Sequence, residues 1–332
     1  AAPGDAFKLS SNENPFEPIP EVLAAIAQSS VNRYPDGSAT ALRARLAERH
    51  GVDASRVHVG AGSVSILAQL ILAAAAPGDE IVYAWRSFEA YPSLVAVAGA
   101  TSVTVPLTSA SEHDLPAMAA AITSRTRLVL VCTPNNPTGT LVARKTIERA
   151  LRDAPGVVFV DEAYAEFAGV SSVDLVRQHD RLLVIRTMSK AFGLAGLRIG
   201  YAIGQPSLVM EVEKSRGPYK LNAMAEQTAL AALQHDMPWV HEHIALAVTL
   251  RERLADELRG FSPLESHANF VCVPVADCVN VGLALRERGV AVRPFPGLPH
   301  VGDTLRISVG PWAMLERFLA AFDDVMTTRR PA

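Results

Sequence analysis

The sequence predicts an α/β fold: a large domain with a mainly parallel central sheet flanked by helices, plus a smaller α+β domain. Three observations predict it. Short apolar runs alternate with helical patterns through the middle of the chain. These runs are continuously apolar, which is typical of strands buried on both faces of a parallel sheet. The length of 332 residues exceeds one domain of roughly 150 residues, which indicates two domains.

The predicted strands of the large domain are short apolar runs. They cover residues 81–84, 102–105, 128–132, 157–160, 182–186 and 198–203. Apolar residues at helical spacing lie between most of them, as at 88–98 and 115–122. Because strand–helix–strand units connect through right-handed crossovers, we expect one mostly parallel sheet.

The carboxyl-terminal part lacks this regular alternation. Its predicted elements are helices near 238–259, 279–288 and 311–326 and strands near 269–274, 290–293 and 305–309. Residues 20–29 predict a further helix near the amino end. We therefore expect a large ligand-binding domain over residues 31–237 and a smaller domain formed by residues 1–30 and 238–332.

The composition excludes several classes of protein. Lys plus Arg number 31 and Asp plus Glu number 34, and this balance gives no basic footprint for nucleic acid or a membrane surface. The three cysteines are too few for a disulfide scaffold and lack the Cys/His pairing of a zinc site. The most apolar stretch, 64–76, is too short to span a bilayer, and no signal peptide is visible. We expect a cytoplasmic protein without a metal site.

The strongest functional signal is the string TMSKAFGLAGLRIGY at residues 187–201. It follows an apolar run, and parallel sheets bind ligands beyond the carboxyl ends of their strands. Desolvation near a core lowers the pKa of a lysine, which makes Lys190 a candidate nucleophile. Thr187, Ser189 and Arg198 add two hydroxyls and a guanidinium, which suit a phosphate. For an isolated Ser-Lys pair, a surface lysine is the alternative interpretation.

Two further motifs follow predicted strands. In VCTPNNPTGT, residues 131–140, a rigid proline turn presents Asn136, although a plain turn fits the same residues. In VVFVDEAYAEF, residues 157–167, Asp161 stands at the strand end. There it either caps the next helix or holds a proton on a ring nitrogen, and Tyr164 would reach the same place.

The string VGAGSVSI at residues 59–66 precedes a helical pattern. Gly60 and Gly62 permit close backbone approach, and the helix start at Ser63 and Val64 offers free N–H groups to an anion. A simple glycine turn with a Ser63 cap is the alternative. The motif is not G-x-G-x-x-G and no acid ends the next strand, so a dinucleotide site has no support.

In this order and spacing, NNPTG, DEAY and SKAFGLAGLRIGY resemble the fold-type I pyridoxal-phosphate aminotransferases. The most similar branch is the histidinol-phosphate and aromatic amino acid aminotransferases. The resemblance extends from KLSSNENPF near the start to LRISVG near the end. It implies pyridoxal 5′-phosphate as cofactor, an amino acid donor, a 2-oxo acid acceptor such as 2-oxoglutarate, and a homodimer with shared active sites.

The resemblance also implies roles at the cofactor. Lys190 would be the Schiff-base lysine, and Asp161 would pair with the pyridine nitrogen. Tyr164 and Asn136 would bind the ring hydroxyl, and Phe88 in WRSFEAYP would stack on the ring. The implied phosphate cup consists of Gly62, Ser63, Val64, Thr187, Ser189 and Arg198.

Four more residues gain roles from the same resemblance. Arg306 in LRISVG would bind the substrate α-carboxylate, and Arg293 would be a second substrate-side arginine. Asn12 in KLSSNENPF and Asn136 in NNPTG are expected at the substrate site as well. Tyr34 in NRYPDG would reach the phosphate held by the neighbouring subunit.

The preferred substrate stays open between two branches. Histidinol-phosphate enzymes carry an acidic pair after the glycine turn, as in GSDE, whereas this chain has GSVS. GSVS and WRSFEAYP favour aromatic amino acids over histidinol phosphate. Less favoured functions are a pyridoxal-phosphate decarboxylase of an amino acid phosphate, a nicotinamide-dependent oxidoreductase and a non-catalytic α/β binding protein.

Overall fold

A computed structural model describes residues 7–154 and 156–328. The strands are β1 (Phe7–Lys8), β2 (Val57–Gly60), β3 (Glu80–Trp85), β4 (Thr101–Pro106), β5 (Thr126–Cys132), β6 (Val157–Asp161), β7 (Leu182–Thr187), β8 (Gly200–Gly204), β9 (Phe270–Pro274), β10 (Val290–Ala291), β11 (Arg293–Leu298) and β12 (Gly302–Ser308). The helices are α1 (Pro20–Gln28), α2 (Thr40–His50), α3 (Ser63–Ala74), α4 (Tyr91–Val97), α5 (Leu115–Ala120), α6 (Arg144–Asp153), α7 (Ala165–Ala168), α8 (Pro206–Lys214), α9 (Ala223–His235), α10 (Met237–Glu257), α11 (Cys278–Glu287) and α12 (Trp312–Thr328).

Seven strands form the large sheet, in the order β2-β8-β7-β6-β5-β3-β4. Neighbours from β7 to β4 run parallel, whereas β8 runs antiparallel to both β2 and β7. The predicted mainly parallel sheet is therefore confirmed.

Both faces of this sheet are buried, as the continuously apolar strands predict. Along β6, Val158 and Val160 pack into one apolar core, while Phe159 packs into the core on the opposite face. Helices cover both faces: α3 belongs to the second core and α9 to the first. Strand side chains alternate between faces with a period of two, so two layers of helix are needed to bury them.

Two elements of the large sheet differ from the sequence prediction. The edge strand β2 is absent from the prediction, because four residues followed by a glycine turn give little periodic signal. The predicted strand 198–203 begins only at Gly200, because Arg198 adopts a left-handed backbone with φ 58° and lies outside the ladder.

The smaller domain contains the antiparallel sheet β11-β12-β9, with α11 and α12 contributing to its own apolar core. The predicted strand 290–293 divides into β10, which pairs with β1, and β11, which pairs with β12. Helix α1 packs against α9. The division of the chain at residues 31 and 238 stays a prediction. Within the described residues, every helix is too short or too polar to cross a membrane.

The topology brings several chain segments to one edge of the large sheet. Because β5, β6 and β7 are parallel, their carboxyl ends lie side by side. Strand β8 is reversed, so it begins where the others end. The loops after these strands and the segment before β8 therefore face one space.

Candidate active site

A cavity of about 310 Å³ occupies this edge, between the large sheet and the small one. Its lining consists of Ser10, Ser11, Asn12, Ser63, Val64, Phe88, Glu89, Cys132, Asn136, Asp161, Ala163, Tyr164, Thr187, Ser189, Lys190, Arg198, Arg293 and Arg306. All of the residues predicted for the site line it except Gly62, which is next to Ser63, and Tyr34.

Lys190 lies in the loop that connects β7 to β8. Its Nζ donates a hydrogen bond of 2.8 Å to the carbonyl of Ser11. Burial, followed by the positive charge of Arg306, lowers the pKa of Lys190 to about 8. At pH 7 about a tenth of this amine is unprotonated, far more than for a free lysine, and a nucleophile or general base requires that form.

Asp161 ends β6 at the floor of the cavity. The Tyr91 hydroxyl donates to its Oδ2 at 3.1 Å, and the Ala163 amide donates to its Oδ1 at 3.2 Å. Burial raises the pKa of Asp161 to about 6. Among the described residues no cation forms an ion pair with this carboxylate. A buried acid of this kind gains most from a ligand that brings a positively charged N–H group.

One end of the cavity is a cup of hydrogen-bond donors. Arg198 Nη1 donates to Ser189 Oγ at 3.3 Å, and Thr187 Oγ1 donates to the same atom at 2.9 Å. Helix α3 begins at Ser63, so its first N–H groups face this end. A Cβ at Gly62 would overlap Arg198 Nη2 and lie 3.0 Å from Arg198 Cζ. Glycine therefore permits the guanidinium to lie directly against the turn, as an anion cup requires.

The opposite end joins the two parts of the chain. Arg306 on β12 donates through Nη1 to Asn136 Oδ1 and through Nη2 to the Ser10 carbonyl, the latter at 2.7 Å. Its guanidinium carbon lies 5.4 Å from the Phe270 ring centroid and 5.2 Å from that of Phe295. Burial lowers the pKa of Arg306. Its buried Nε has no hydrogen-bond partner among the described residues, which suits a carboxylate ligand.

Asn12 connects the amino-terminal segment to this region. Its Nδ2 donates to the Tyr164 hydroxyl at 3.0 Å, and Ser308 Oγ donates to its Oδ1 at 3.0 Å. Burial raises the pKa of Tyr164 to about 12, so the phenol stays protonated at neutral pH. Tyr164 is thereby held as a hydrogen-bond donor toward the cavity that it lines.

Tyr34 lies apart from this cavity. Its side chain is 80% exposed and stacks on Tyr219, with ring centroids 4.2 Å apart. Both rings lie on the surface, next to a second cavity of about 570 Å³ that Tyr34 and Arg33 help to line. Within one chain, therefore, Tyr34 does not meet the other predicted site residues.

Sequence reasoning missed Tyr91, Glu89, Ser10 and Ser11. Tyr91 lies 70 residues before Asp161, and Glu89 lies 204 residues before its partner Arg293, so no local pattern reports either contact. The serines contribute backbone carbonyls, which the identity of a side chain does not reveal. The one signal in the sequence is that Glu89 and Tyr91 share the WRSFEAYP string with Phe88.

Comparison with known proteins agrees with this geometry. The sequence model of the family described as "Aminotransferase class I and II" matches residues 4–322. The chain belongs to that family. The aminotransferase is 43% identical over 330 residues to an aromatic amino acid aminotransferase of Streptomyces coelicolor, covering 96% of this chain and 90% of the relative. It is 45% identical over 316 residues to an aromatic amino acid aminotransferase of Streptomyces avermitilis, covering 92% of this chain and 86% of that relative.

A solved structure gives the same fold. The aminotransferase superposes with a TM-score of 0.91 and 27% identity on histidinol-phosphate aminotransferase from Sinorhizobium meliloti, in complex with pyridoxal-5′-phosphate. The superposition covers 98% of this chain and 92% of that one. The fold is thus that of the fold-type I pyridoxal-phosphate transferases, and the enzyme depends on this cofactor.

The residues present fit pyridoxal phosphate. The cavity is lined by an anion cup, by a buried carboxylate without an ion-pair partner among the described residues and by an amine of lowered pKa. These three features match the phosphate, the protonated ring nitrogen and the aldehyde of the cofactor. Phe88 adds an aromatic ring to the lining, in edge-to-face contact with Tyr91 at 5.6 Å.

Proposed function

We propose that this enzyme transfers the amino group of an aromatic amino acid to 2-oxoglutarate, in two half-reactions that use one site in turn. The observation that carries the mechanism is the convergence of Lys190, Asp161 and Arg306 on a single cavity. The aromatic donor is supported by the relatives at 43% and 45% identity, which are named aromatic amino acid aminotransferases.

When bound, the cofactor supplies the electron sink that labilises bonds at the substrate α-carbon. Lys190 would attach to it covalently and Asp161 would hold the ring-nitrogen proton. Tyr164 and Asn136 would bind the ring hydroxyl, and Phe88 would stack on the ring. The phosphate would be held by Thr187, Ser189, Arg198 and the backbone of Gly62, Ser63 and Val64.

The chain's own groups then act on the substrate. Arg306 binds the α-carboxylate through its fork of N–H donors and so fixes the orientation of the α-carbon. Lys190 Nζ removes the α-carbon proton as general base, which its lowered pKa allows near neutral pH. Asn12 holds Tyr164 at 3.0 Å and orders the wall on the substrate side.

Histidinol phosphate is the second candidate donor. Arg293 lines the cavity and offers a cation for a substrate phosphate. The same arginine pairs with Glu89 at 3.0 Å, so that a phosphate dianion has to displace this carboxylate, which a neutral aromatic ring does not. This pairing ranks histidinol phosphate behind the aromatic amino acids.

We also infer a cytoplasmic homodimer with shared active sites. Tyr34 and Tyr219 form an exposed stacked pair, which suits an interface between two copies in which Tyr34 reaches the neighbouring phosphate cup. The three cysteines are free and buried, which is typical of a reducing compartment.

The test is a panel of amino donors assayed with 2-oxoglutarate. We expect glutamate to form from phenylalanine, tyrosine and tryptophan with a higher kcat/KM than from histidinol phosphate. Borohydride reduction of the holoenzyme should label Lys190 alone, and Lys190→Ala should lose both the label and turnover. Release of carbon dioxide instead of a 2-oxo acid would replace this proposal with a decarboxylase.

A further inference from the structure

An ion pair joins the two sides of the cavity at the substrate end. Glu89 lies in the loop between strand β3 of the large sheet and helix α4. Arg293 is the first residue of β11 in the small sheet. Arg293 Nη2 donates to both carboxylate oxygens of Glu89, at 3.0 and 3.1 Å. Both side chains line the cavity, and Phe88, which precedes Glu89 in the chain, lines it too.

Glu89 has a distinctive position among the charges of the cavity. Four cationic side chains line it: Lys190, Arg198, Arg293 and Arg306. Among the described residues, the carboxylates of the lining are those of Asp161 and Glu89. Asp161 lies at the floor, where the cofactor ring belongs. Glu89 is therefore the negative charge that a substrate side chain encounters.

We propose that Glu89 is a specificity-determining residue that covers Arg293 when the substrate side chain is neutral and yields it to an anionic side chain. The inference rests on the proposed function. One site must accept an uncharged aromatic ring in the first half-reaction and the side-chain carboxylate of 2-oxoglutarate in the second. An arginine left unpaired would be desolvated at a cost by the ring, whereas a paired arginine presents little net charge to it.

The geometry makes the pair exchangeable. A single nitrogen of Arg293 contacts both carboxylate oxygens of Glu89. The pair therefore lacks the two parallel N–H···O bonds of the strongest arginine–carboxylate pairs. The Arg293 and Glu89 side chains are 49% and 35% exposed, so water stabilises each of them when they separate. Glu89 also acts on Arg306. Burial lowers the pKa of Arg306, and the negative charge of Glu89 opposes this lowering. Removal of the Glu89 charge thus makes the electrostatic potential around Arg306 and Arg293 more positive.

The test compares two unreactive ligands on the holoenzyme by calorimetry. Glutarate represents the dicarboxylic substrate, and 3-phenylpropionate represents the aromatic one; both carry a carboxylate for Arg306. Breaking an exposed pair changes an equilibrium by about two- to fivefold, and relief of like-charge repulsion adds to this. We expect Glu89→Gln to tighten glutarate relative to 3-phenylpropionate by about tenfold, equivalent to 1.4 kcal/mol.

A matched control lies on the surface. Arg144 and Glu148 form an ion pair at 3.1 Å with side-chain exposures of 48% and 33%, outside the cavity. Glu148→Gln should leave the ratio of the two dissociation constants unchanged. The double variant Glu89→Gln/Arg293→Gln should lose the gain for glutarate, because the cation that Glu89 releases is absent. Above 0.5 M salt the gain should shrink, since screening weakens exposed charges.

Two results would overturn the inference: a ratio that Glu89→Gln does not move, or an equal gain with Arg293 replaced. Failure of the proposed function would look different. If phenylalanine is not a donor while the glutarate ratio still shifts, the aromatic assignment is wrong and the role of Glu89 toward anions stands. If phenylalanine is a good donor and the ratio is fixed, only the role of Glu89 is wrong.

Discussion

Substitution of Gly62 tests whether Arg198 belongs to the phosphate cup. Gly62 has φ 83° and ψ 162°, a backbone region that is essentially restricted to glycine, so alanine costs about 1–3 kcal/mol in strain. Its Cβ would also overlap Arg198 Nη2 and force the guanidinium to move. A hydrogen bond to a charged group contributes about 1.5–3 kcal/mol. Gly62→Ala should therefore weaken pyridoxal phosphate binding by roughly 10- to 150-fold.

Gly78 provides the control for backbone strain. It has φ 94°, and no heavy atom lies within 4 Å of a Cβ built there. Gly78→Ala should destabilise the chain without displacing a cofactor ligand. The assay titrates each apoenzyme with pyridoxal phosphate by absorbance and records the apoenzyme melting curve alongside.

Arg198→Ala separates the two effects of the Gly62 change. If Gly62→Ala acts by displacing Arg198, the double variant Gly62→Ala/Arg198→Ala should bind the cofactor as weakly as Arg198→Ala does and no more weakly. The two substitutions would then remove the same contact, so their effects on cofactor affinity would not add. Arg198 does not bind the phosphate in this way if Gly62→Ala binds the cofactor as tightly as Gly78→Ala, or if the effects of Gly62→Ala and Arg198→Ala on cofactor affinity add in full.

Two further predictions follow from the shifted pKa values. Burial raises the pKa of Asp161 from 3.8 to about 6, so its ionisation destabilises the folded apoenzyme as pH rises through that range. Asp161→Asn should stabilise the apoenzyme by up to about 3 kcal/mol at pH 8, with the gain shrinking toward pH 4, as measured by urea unfolding. The same change should lower kcat by about 10²–10³-fold, and Asp161→Glu should retain more activity than Asp161→Ala. Lys190 has a pKa of about 8, so covalent capture of the cofactor should accelerate about tenfold per pH unit below 8 and level off above it. Stopped-flow absorbance measures the rate of this capture. The reference is Nα-acetyl-lysine, whose side-chain amine is free and whose rate should keep rising to about pH 10. A stabilisation by Asp161→Asn that is independent of pH would show that burial does not raise the pKa of Asp161. A capture rate with the same pH dependence as that of Nα-acetyl-lysine would show that burial does not lower the pKa of Lys190.

The sequence predicted the parts of the site that depend on local order. Asp161, Asn136 and Lys190 each follow an apolar strand, and a parallel sheet places such ends together whatever the details of packing. The positions of β3 to β7 were predicted for the same reason, because continuous apolar runs of four to seven residues have few other uses in an α/β chain.

What the sequence did not predict depends on contacts between distant segments or on single backbone angles. Arg198 was predicted both in a strand and in the phosphate cup, and its left-handed backbone excludes only the strand. The hydrogen bond from Tyr91 to Asp161 and the pairing of Arg293 with Glu89 join residues with no shared periodicity. The role of Tyr34 depends on a second chain, so neither one sequence nor one chain tests it.

The single reversed strand of the large sheet has a consequence for engineering. Because β8 returns beside β7, one short loop carries both the lysine proposed to anchor the cofactor and the arginine proposed to bind its phosphate. The arginines proposed for the substrate lie instead on β11 and β12 of the small sheet, and β12 packs into a separate apolar core. Substitutions confined to those two strands should therefore change substrate selectivity and leave the affinity for the vitamin B6 cofactor unchanged. A library of variants at these positions would explore new substrates while the residues around the cofactor stay the same.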